Sequence, residues 1–277
     1  MKRFLLLALV LPLLICINST AFALVWGVNP GATGSELINI DPFTGTINTS
    51  YSLSGKITDT DTEIGLAGYA GSLYYTNADL NNGVFYTIDP SSGVQTGSFS
   101  LSGGWEIDGL GYYADGSGNW LYTSGCSVND LHRYIAADGS DPTFFWSNLE
   151  YPSAMAGDNG GRIFSYGNVP GGASGLYEID PLVNTNATFF ANSPSESIVG
   201  MAFDGTYLYL SDTNDMLFTM NLSGETVNSQ DLGYTLYALG STEGTPNPVP
   251  EPATMILLGS GLLGLASASR KKFYKKK

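Results

Sequence analysis

Short stretches of alternating apolar and polar residues recur through most of this chain, and at both ends they give way to continuous apolar segments. One recurring unit is a strand-like run that closes on an Asp-Pro-type turn. It appears as Glu36-Leu37-Ile38-Asn39-Ile40-Asp41-Pro42-Phe43-Thr44-Gly45 and again as Val84-Phe85-Tyr86-Thr87-Ile88-Asp89-Pro90-Ser91-Ser92-Gly93. Weaker copies are Leu131–Ile135, Leu176–Pro181 and Leu217–Asn221. Aligned on Ile40, Ile88, Ile135, Ile179 and Met220, the copies are 48, 47, 44 and 41 residues apart. A second unit precedes the first in each repeat: Gly65-Leu66-Ala67-Gly68-Tyr69 with Leu73-Tyr74-Tyr75. Its counterparts pair Gly109–Gly111 with Trp120–Tyr122, Ala154–Ala156 with Arg162–Phe164, and Gly200–Ala202 with Tyr207–Tyr209. A further short strand follows the turn, as in Ile47–Leu53, Gln95–Leu101, Thr143–Leu149 and Ala187–Ala191. No helical period intervenes.

Four short strands in about 45 residues are the signature of a propeller blade. Small residues at Gly65/Ala67, Gly109/Gly111, Ala154/Ala156 and Gly200/Ala202 suit an innermost strand, where neighbours crowd the axis. Residues 25–53 supply three strands without an inner one, and Leu236–Gly240 supply an inner strand without the rest. Pairing them completes a blade and removes two open edges. The pattern therefore predicts an all-β domain over residues 24–244, a small β-propeller of about five four-stranded blades with N/C-terminal closure. Four blades, or six with one degenerate repeat, are the other counts. A many-stranded β-sandwich accounts for the strands but not for the period.

The two ends carry a different signal. Met1-Lys2-Arg3, an apolar run from Phe4 to Ile17 and the small residues Ala21 and Ala23 of an A-x-A site read as a secretory signal peptide over residues 1–23, cleaved after Ala23. Cys16 raises a lipoprotein alternative, but Ile15 stands where lipid processing wants a small residue. At the other end, residues 245–277 comprise a linker, Pro250-Glu251-Pro252, an apolar segment from Ala253 to Ala268, and a basic cluster that begins Arg270-Lys271-Lys272. The apolar segment is near the roughly 17-residue lower limit for a membrane span, and its basic flank is expected to stay cytoplasmic.

This order of parts closely resembles the PEP-CTERM sorting signal. The resemblance covers about the last 30 residues. It implies that an exosortase, an integral-membrane cysteine protease, recognises Pro250, Glu251 and Pro252 and removes the tail. It also implies a Gram-negative host that makes exopolysaccharide, and a processed protein at the cell surface or in the extracellular matrix. The prolines hold the motif extended and keep the following helix from growing upstream.

With both end segments set aside, residues 24–250 hold only Lys56, Arg133 and Arg162 against 24 acidic residues, a net charge of −21. Nucleic acid is excluded as a partner, because phosphate neutralisation needs lysine and arginine. Cys126 is the sole cysteine after signal removal, so no internal disulfide staples the domain. Its surroundings lack the basic groups that activate a thiol.

Candidate chemistry is thin. Asp41, Asp89 and Asp180 read as turn caps rather than catalytic groups. Thr58-Asp59-Thr60-Asp61-Thr62-Glu63 and the Asp212/Asn214/Asp215 cluster have oxygen ligands for Ca²⁺ but no EF-hand spacing. A solvated acidic loop is the plainer account of each, so calcium is at most an optional cofactor. His132, the single histidine, sits in the third repeat without a G-x-S-x-G elbow, which argues against a serine triad. Glycosidases need only a spaced pair of acids, and Asp108 and Asp158 beside inner strands are the best such pair. Trp105, Tyr112, Tyr113, Trp120, Trp146 and Tyr151 are either sugar-stacking platforms or core between blades. The expectation is a non-enzymatic surface or matrix scaffold with signal peptidase, an exosortase-type protease and exopolysaccharide as partners; the alternative is a secreted carbohydrate-active enzyme with carboxylates in the tunnel.

Overall fold

In a computed structural model of the chain the described residues run from Leu24 to Thr242, with breaks at 32–33, 54–63, 70, 78–83, 101–106, 108, 116–117, 125–129, 141–142, 147, 158–161, 171 and 182–183. Twenty strands and no helix occur among them. Blade 2 is β4 (Ile64–Tyr69), β5 (Ser72–Asn77), β6 (Val84–Asp89) and β7 (Val94–Ser100). Blade 3 is β8 (Gly109–Asp115), β9 (Gly118–Ser124), β10 (Asp130–Ile135) and β11 (Thr143–Trp146). Blade 4 is β12 (Glu150–Gly157), β13 (Ile163–Asn168), β14 (Gly175–Asp180) and β15 (Asn184–Ala191). Blade 5 is β16 (Ile198–Phe203), β17 (Tyr207–Asp212), β18 (Met216–Asn221) and β19 (Thr226–Asp231). Blade 1 joins the two chain ends in the order β20 (Ala238–Ser241), β1 (Val25–Gly31), β2 (Gly34–Ile40) and β3 (Ile47–Ser52). The five-bladed count and the closure thus agree with the repeat. The closing strand begins two residues later than the sequence suggested, although the Tyr237 N–H still donates to the Val28 carbonyl at 2.9 Å.

Burial explains why each strand has its composition. The second strand of a blade is covered on both faces, so β13 and β17 are almost continuously buried and read Ile163-Phe164-Ser165-Tyr166 and Leu208-Tyr209-Leu210. The outermost strands β3, β7 and β19 alternate between exposed and half-buried positions over most of their length. Each joint between neighbouring blades has its own apolar core. Trp26, Val28 and Leu37 meet Ile64, Leu66 and Leu73 between blades 1 and 2. Val25, Ile40 and Leu239 meet Ala202, Tyr209 and Leu217 between blades 5 and 1. The other three joints centre on Phe85 with Leu121, Trp120 with Ile163, and Phe164 with Leu210. Successive residues of one strand face different joints: Val25 serves one core and Trp26 the other. A side chain such as Leu208 or Leu210 contributes about 1.5–3 kcal/mol by its burial.

The inner strands β4, β8, β12, β16 and β20 form a closed ring, each packed against the next. Glycine is required here by close approach. A Cβ on Gly109 would lie 2.9 Å from the Met155 backbone nitrogen, and one on Gly157 would overlap the Tyr112 carbonyl. Gly65 meets Leu110 Cβ at 2.6 Å in the same way.

Candidate functional site

All five inner strands run in the same direction along the axis. Ile64, Gly65, Gly109, Ala154, Gly200 and Ala238 surround one end, here the entry end. Gly68, Tyr112, Gly157, Phe203 and Ser241, each further along its strand, surround the other, the exit end. The cavity at each end measures about 10 Å³, room for roughly one water. Sites for sugars or drug-sized ligands run to about 300–1,000 Å³. Backbone, Gly, Ala, Leu and Met line most of both cavities, and none of the lining residues is acidic. Asp108 and Asp158 lie outside the described residues. The glycines beside them do not: Gly109 stands at the entry end and Gly157 at the exit end.

The aromatic residues whose side chains are described are core. Tyr112, Tyr113 and Trp120 are 3 %, 1 % and 8 % exposed. Tyr112 stacks on Tyr69 with ring centroids 3.7 Å apart and planes at 11°. Trp120 carries the Arg133 guanidinium 4.0 Å from its ring centroid, a cation–π contact worth about 1–2 kcal/mol when partly desolvated. Desolvation raises the Tyr112 phenol well above its usual range. None of these three presents a ring to a ligand. Trp105 and the side chains of Trp146 and Tyr151 lie outside the described residues.

The Asp-Pro turns are structural. Asp41 Oδ1 accepts the Phe43 N–H at 2.9 Å and the Thr44 N–H at 3.3 Å. Asp89 Oδ1 accepts the Ser91 N–H at 2.8 Å and its hydroxyl at 2.7 Å, while Oδ2 accepts the Ser92 hydroxyl at 2.9 Å. These bonds hold the Asp89 carboxyl below its ordinary range, led by the Ser91 hydroxyl. In both turns the N–H of a left-handed glycine, Gly45 (φ 71°) or Gly93 (φ 68°), closes back on the aspartate carbonyl. Such turns also seat one blade on the next: a Cβ on Gly93 would overlap the Tyr51 ring of blade 1, and one on Gly139 would overlap the Phe99 ring of blade 2.

The Asp212 cluster serves its own hairpin. Asp212, 2 % exposed, accepts the Asn214 and Met216 N–H groups at 2.9 Å each and the Ser195 hydroxyl at 2.8 Å. Asp215 adopts φ 64° and accepts the Thr235 hydroxyl at 2.5 Å. The two carboxylates are thus each occupied by different protein donors. Among the described residues no three His, Cys, Asp or Glu side chains gather as a metal site. Thr58–Glu63 and Cys126 lie outside the described residues. His132 is 4 % exposed on β10, stacked on Tyr134 at 6.4 Å, and burial pushes its imidazole below the usual pKa.

Sequence reasoning did not find the clasp between blades 5 and 1. Asn228 Nδ2 donates to the Pro42 and Phe43 carbonyls at 3.1 and 3.0 Å, and Gln230 Nε2 donates to the Phe43 carbonyl at 2.8 Å. Tyr51 makes the matching bond from blade 1 to blade 2, its hydroxyl donating to the Ser91 carbonyl at 2.8 Å.

The described domain is a five-bladed all-β propeller whose axis is filled by its own strands. Behind it, residues 248–271 match the PEP-CTERM protein-sorting motif. That match takes in Pro250-Glu251-Pro252, the apolar segment, Arg270 and Lys271, and ends before Lys272. The chain therefore carries an exosortase recognition signal, the mark of an exported protein. Ala21, Ala23 and the whole tail lie outside the described residues. No curated protein matches the chain. Among solved structures it is similar to a chain of a nidogen/laminin complex at 12% identity and TM-score 0.53, covering 80% of this chain and 99% of that one. It also matches BamB from Moraxella catarrhalis (13% identity, TM-score 0.35, 77% of this chain and 63% of that one) and a streptogramin B lyase (13%, 0.42, 77% and 70%). At these identities the first likeness shows the fold alone.

Proposed function

We propose that this protein is a non-enzymatic scaffold of the cell surface or extracellular matrix in a Gram-negative, exopolysaccharide-producing bacterium. Residues 1–23 direct export and signal peptidase removes them after Ala23. Residues 24–244 form the propeller, and residues 245–277 hold it transiently in the inner membrane. An exosortase-type protease then recognises Pro250-Glu251-Pro252 and releases the domain to the surface, where exopolysaccharide of the biofilm is its partner. No cofactor is needed.

The observation that carries the scaffold reading is the filled axis. Propeller enzymes that work in the tunnel need room for substrate between their carboxylates, and about 10 Å³ at either end does not give it. Inverting and retaining glycosidases also need two acids within about 5–10 Å. None of the described residues that line either cavity is acidic.

The delivery half is tested by Glu251→Ala with Pro252→Ala in a host that makes an exosortase. The doubly substituted protein is expected to stay untrimmed and membrane-bound; normal trimming and release sink this part. The scaffold half is tested on a glycan array with sugar release measured in parallel. Binding without release is expected, and release abolished by Asp108→Asn sinks it.

A further inference from the structure

One residue, Leu24, separates the closing ladder of the ring from the Ala23–Leu24 bond at which signal peptidase would cut. Leu24 is 44 % exposed and precedes β1, whereas Val25 is fully buried. Val25 pairs with Ile40 on one side and with Ser241 on the other. Its carbonyl accepts the Asn39 side-chain amide at 3.2 Å, and its side chain lies in the core of blades 5 and 1 with Ala202, Tyr209 and Leu239. The residues that follow are held as firmly. Trp26 is 4 % exposed and stacks on Tyr51 with ring centroids 6.1 Å apart, and a Cβ on Gly27 would overlap the Leu236 side chain.

Many of these contacts exist only in the closed ring. Ser241 and Leu239 belong to β20, Leu236 lies just before it, and Ala202 and Tyr209 belong to blade 5. Until β20 docks, Val25 has only its blade 1 partners, Ile40 and Asn39. The other end of the chain is built differently. β20 ends at Ser241, and residues 242–249 stand between it and Pro250. Fully extended, such a stretch reaches about 30 Å. Closure thus draws the export junction into the ladder and leaves the sorting motif well beyond it in sequence.

We infer that ring closure is an autoinhibitory contact for the export cut: the closed propeller takes the chain beside the Ala23–Leu24 bond into its core and withholds that bond from the peptidase. The inference rests on the export reading of residues 1–23. Endoproteases cut exposed, irregular chain readily, and ordered chain only through its transiently opened form. The rate on a closed ring therefore follows the fraction of molecules whose closing joint is open. A chain that closes before the cut keeps its apolar leader, while Pro250-Glu251-Pro252 stays open to the exosortase.

The test is the rate at which purified bacterial signal peptidase removes residues 1–23 from the folded full-length chain in detergent, read by mass spectrometry. Three chains are compared: the parent, Leu239→Asp, and a parent with a six-residue Gly-Ser spacer inserted between Leu24 and Val25. Both altered chains are expected to be cut at least about tenfold faster than the parent, since the open fraction governs cleavage of ordered chain. The spacer chain should keep the parent's circular dichroism spectrum and Tm, which separates access to the bond from loss of fold. Equal rates for the parent and the spacer chain overturn the inference and leave the export reading intact. If the spacer chain is not cut either, residues 1–23 are no cleavable signal, and the inference falls with that reading.

Discussion

Val25, at the start of the first strand, and Ser241, at the end of the last, are partners in one antiparallel ladder. Their pairing converts an open row of blades into a ring, and it draws Leu239, 1 % exposed, into the core between blades 5 and 1. The joint that covalent order leaves unmade is thereby packed like the four that it makes.

A charge at Leu239 should therefore open the ring. Leu239→Asp is expected to cost at least about 3 kcal/mol, since a buried unpaired carboxylate is among the most destabilising changes. In a domain of this size that is a fall in Tm on the order of 10 °C. A calorimetric Tm within a degree or two of the parent would mean that the closing joint is not formed.

Two left-handed glycines separate backbone strain from packing. Gly71 (φ 79°) has open space where a Cβ would stand, whereas at Gly93 (φ 68°) the Tyr51 ring occupies it. Both alanine variants meet the left-handed penalty of about 1–2 kcal/mol. Gly93→Ala alone should add an overpacking cost of about 1–3 kcal/mol. Equal losses in urea unfolding would refute the inter-blade contact.

The clasp between blades 5 and 1 should be measurable by subtraction. Asn228→Ala together with Gln230→Ala removes the side-chain bonds of both residues to the Pro42 and Phe43 carbonyls. At about 1 kcal/mol per bond the pair should lose roughly 2–3 kcal/mol. Thr226→Ala, at an exposed position of the same strand, should change stability by less than about 0.5 kcal/mol. If all three changes behave alike, the clasp contributes nothing.

His132 should give the domain an acid-sensitive step. Burial lowers its imidazole pKa in the fold, while the unfolded chain titrates near 6.5. Below about pH 6.5 the unfolded state binds the extra proton, so its stabilising contribution is complete above that pH and is lost as pH falls. His132→Phe should remove this slope: measured between pH 7.5 and about 5.5, the parent should weaken relative to the variant. Parallel curves would show that the imidazole titrates alike in both states.

Much of the fold was readable because a blade repeats its chemistry. Ile40, Ile88, Ile135, Ile179 and Met220 mark the third strand in all five blades, and in blades 1 and 2 the Asp-to-Gly spacing marks the turn behind it. Closure followed from counting strands at the two ends. What escaped was set by contacts distant in sequence. Nothing local in Asn228 or Gln230 points to carbonyls near residue 42, and Trp120 does not announce that Arg133 lies on its ring. The direction of the inner strands was not legible either: Gly109 opens its strand and Gly157 ends one, while Asp108 and Asp158 lie outside the described residues. Trp120 and Tyr112 were ambiguous for another reason, because aromatic residues suit a blade core and a sugar platform equally.

The way blade 1 is assembled also sets a clock. Its β1, β2 and β3 leave the ribosome first, and β20 is made only after the other four blades. At ribosomal speeds of about 5–20 residues per second, the delay is on the order of ten seconds or more. Throughout that wait the free side of β1 has no mate, and the strand that finally covers it arrives just ahead of the sorting tail. Maturation of the ring and delivery of its address label thus fall in the same moment of synthesis.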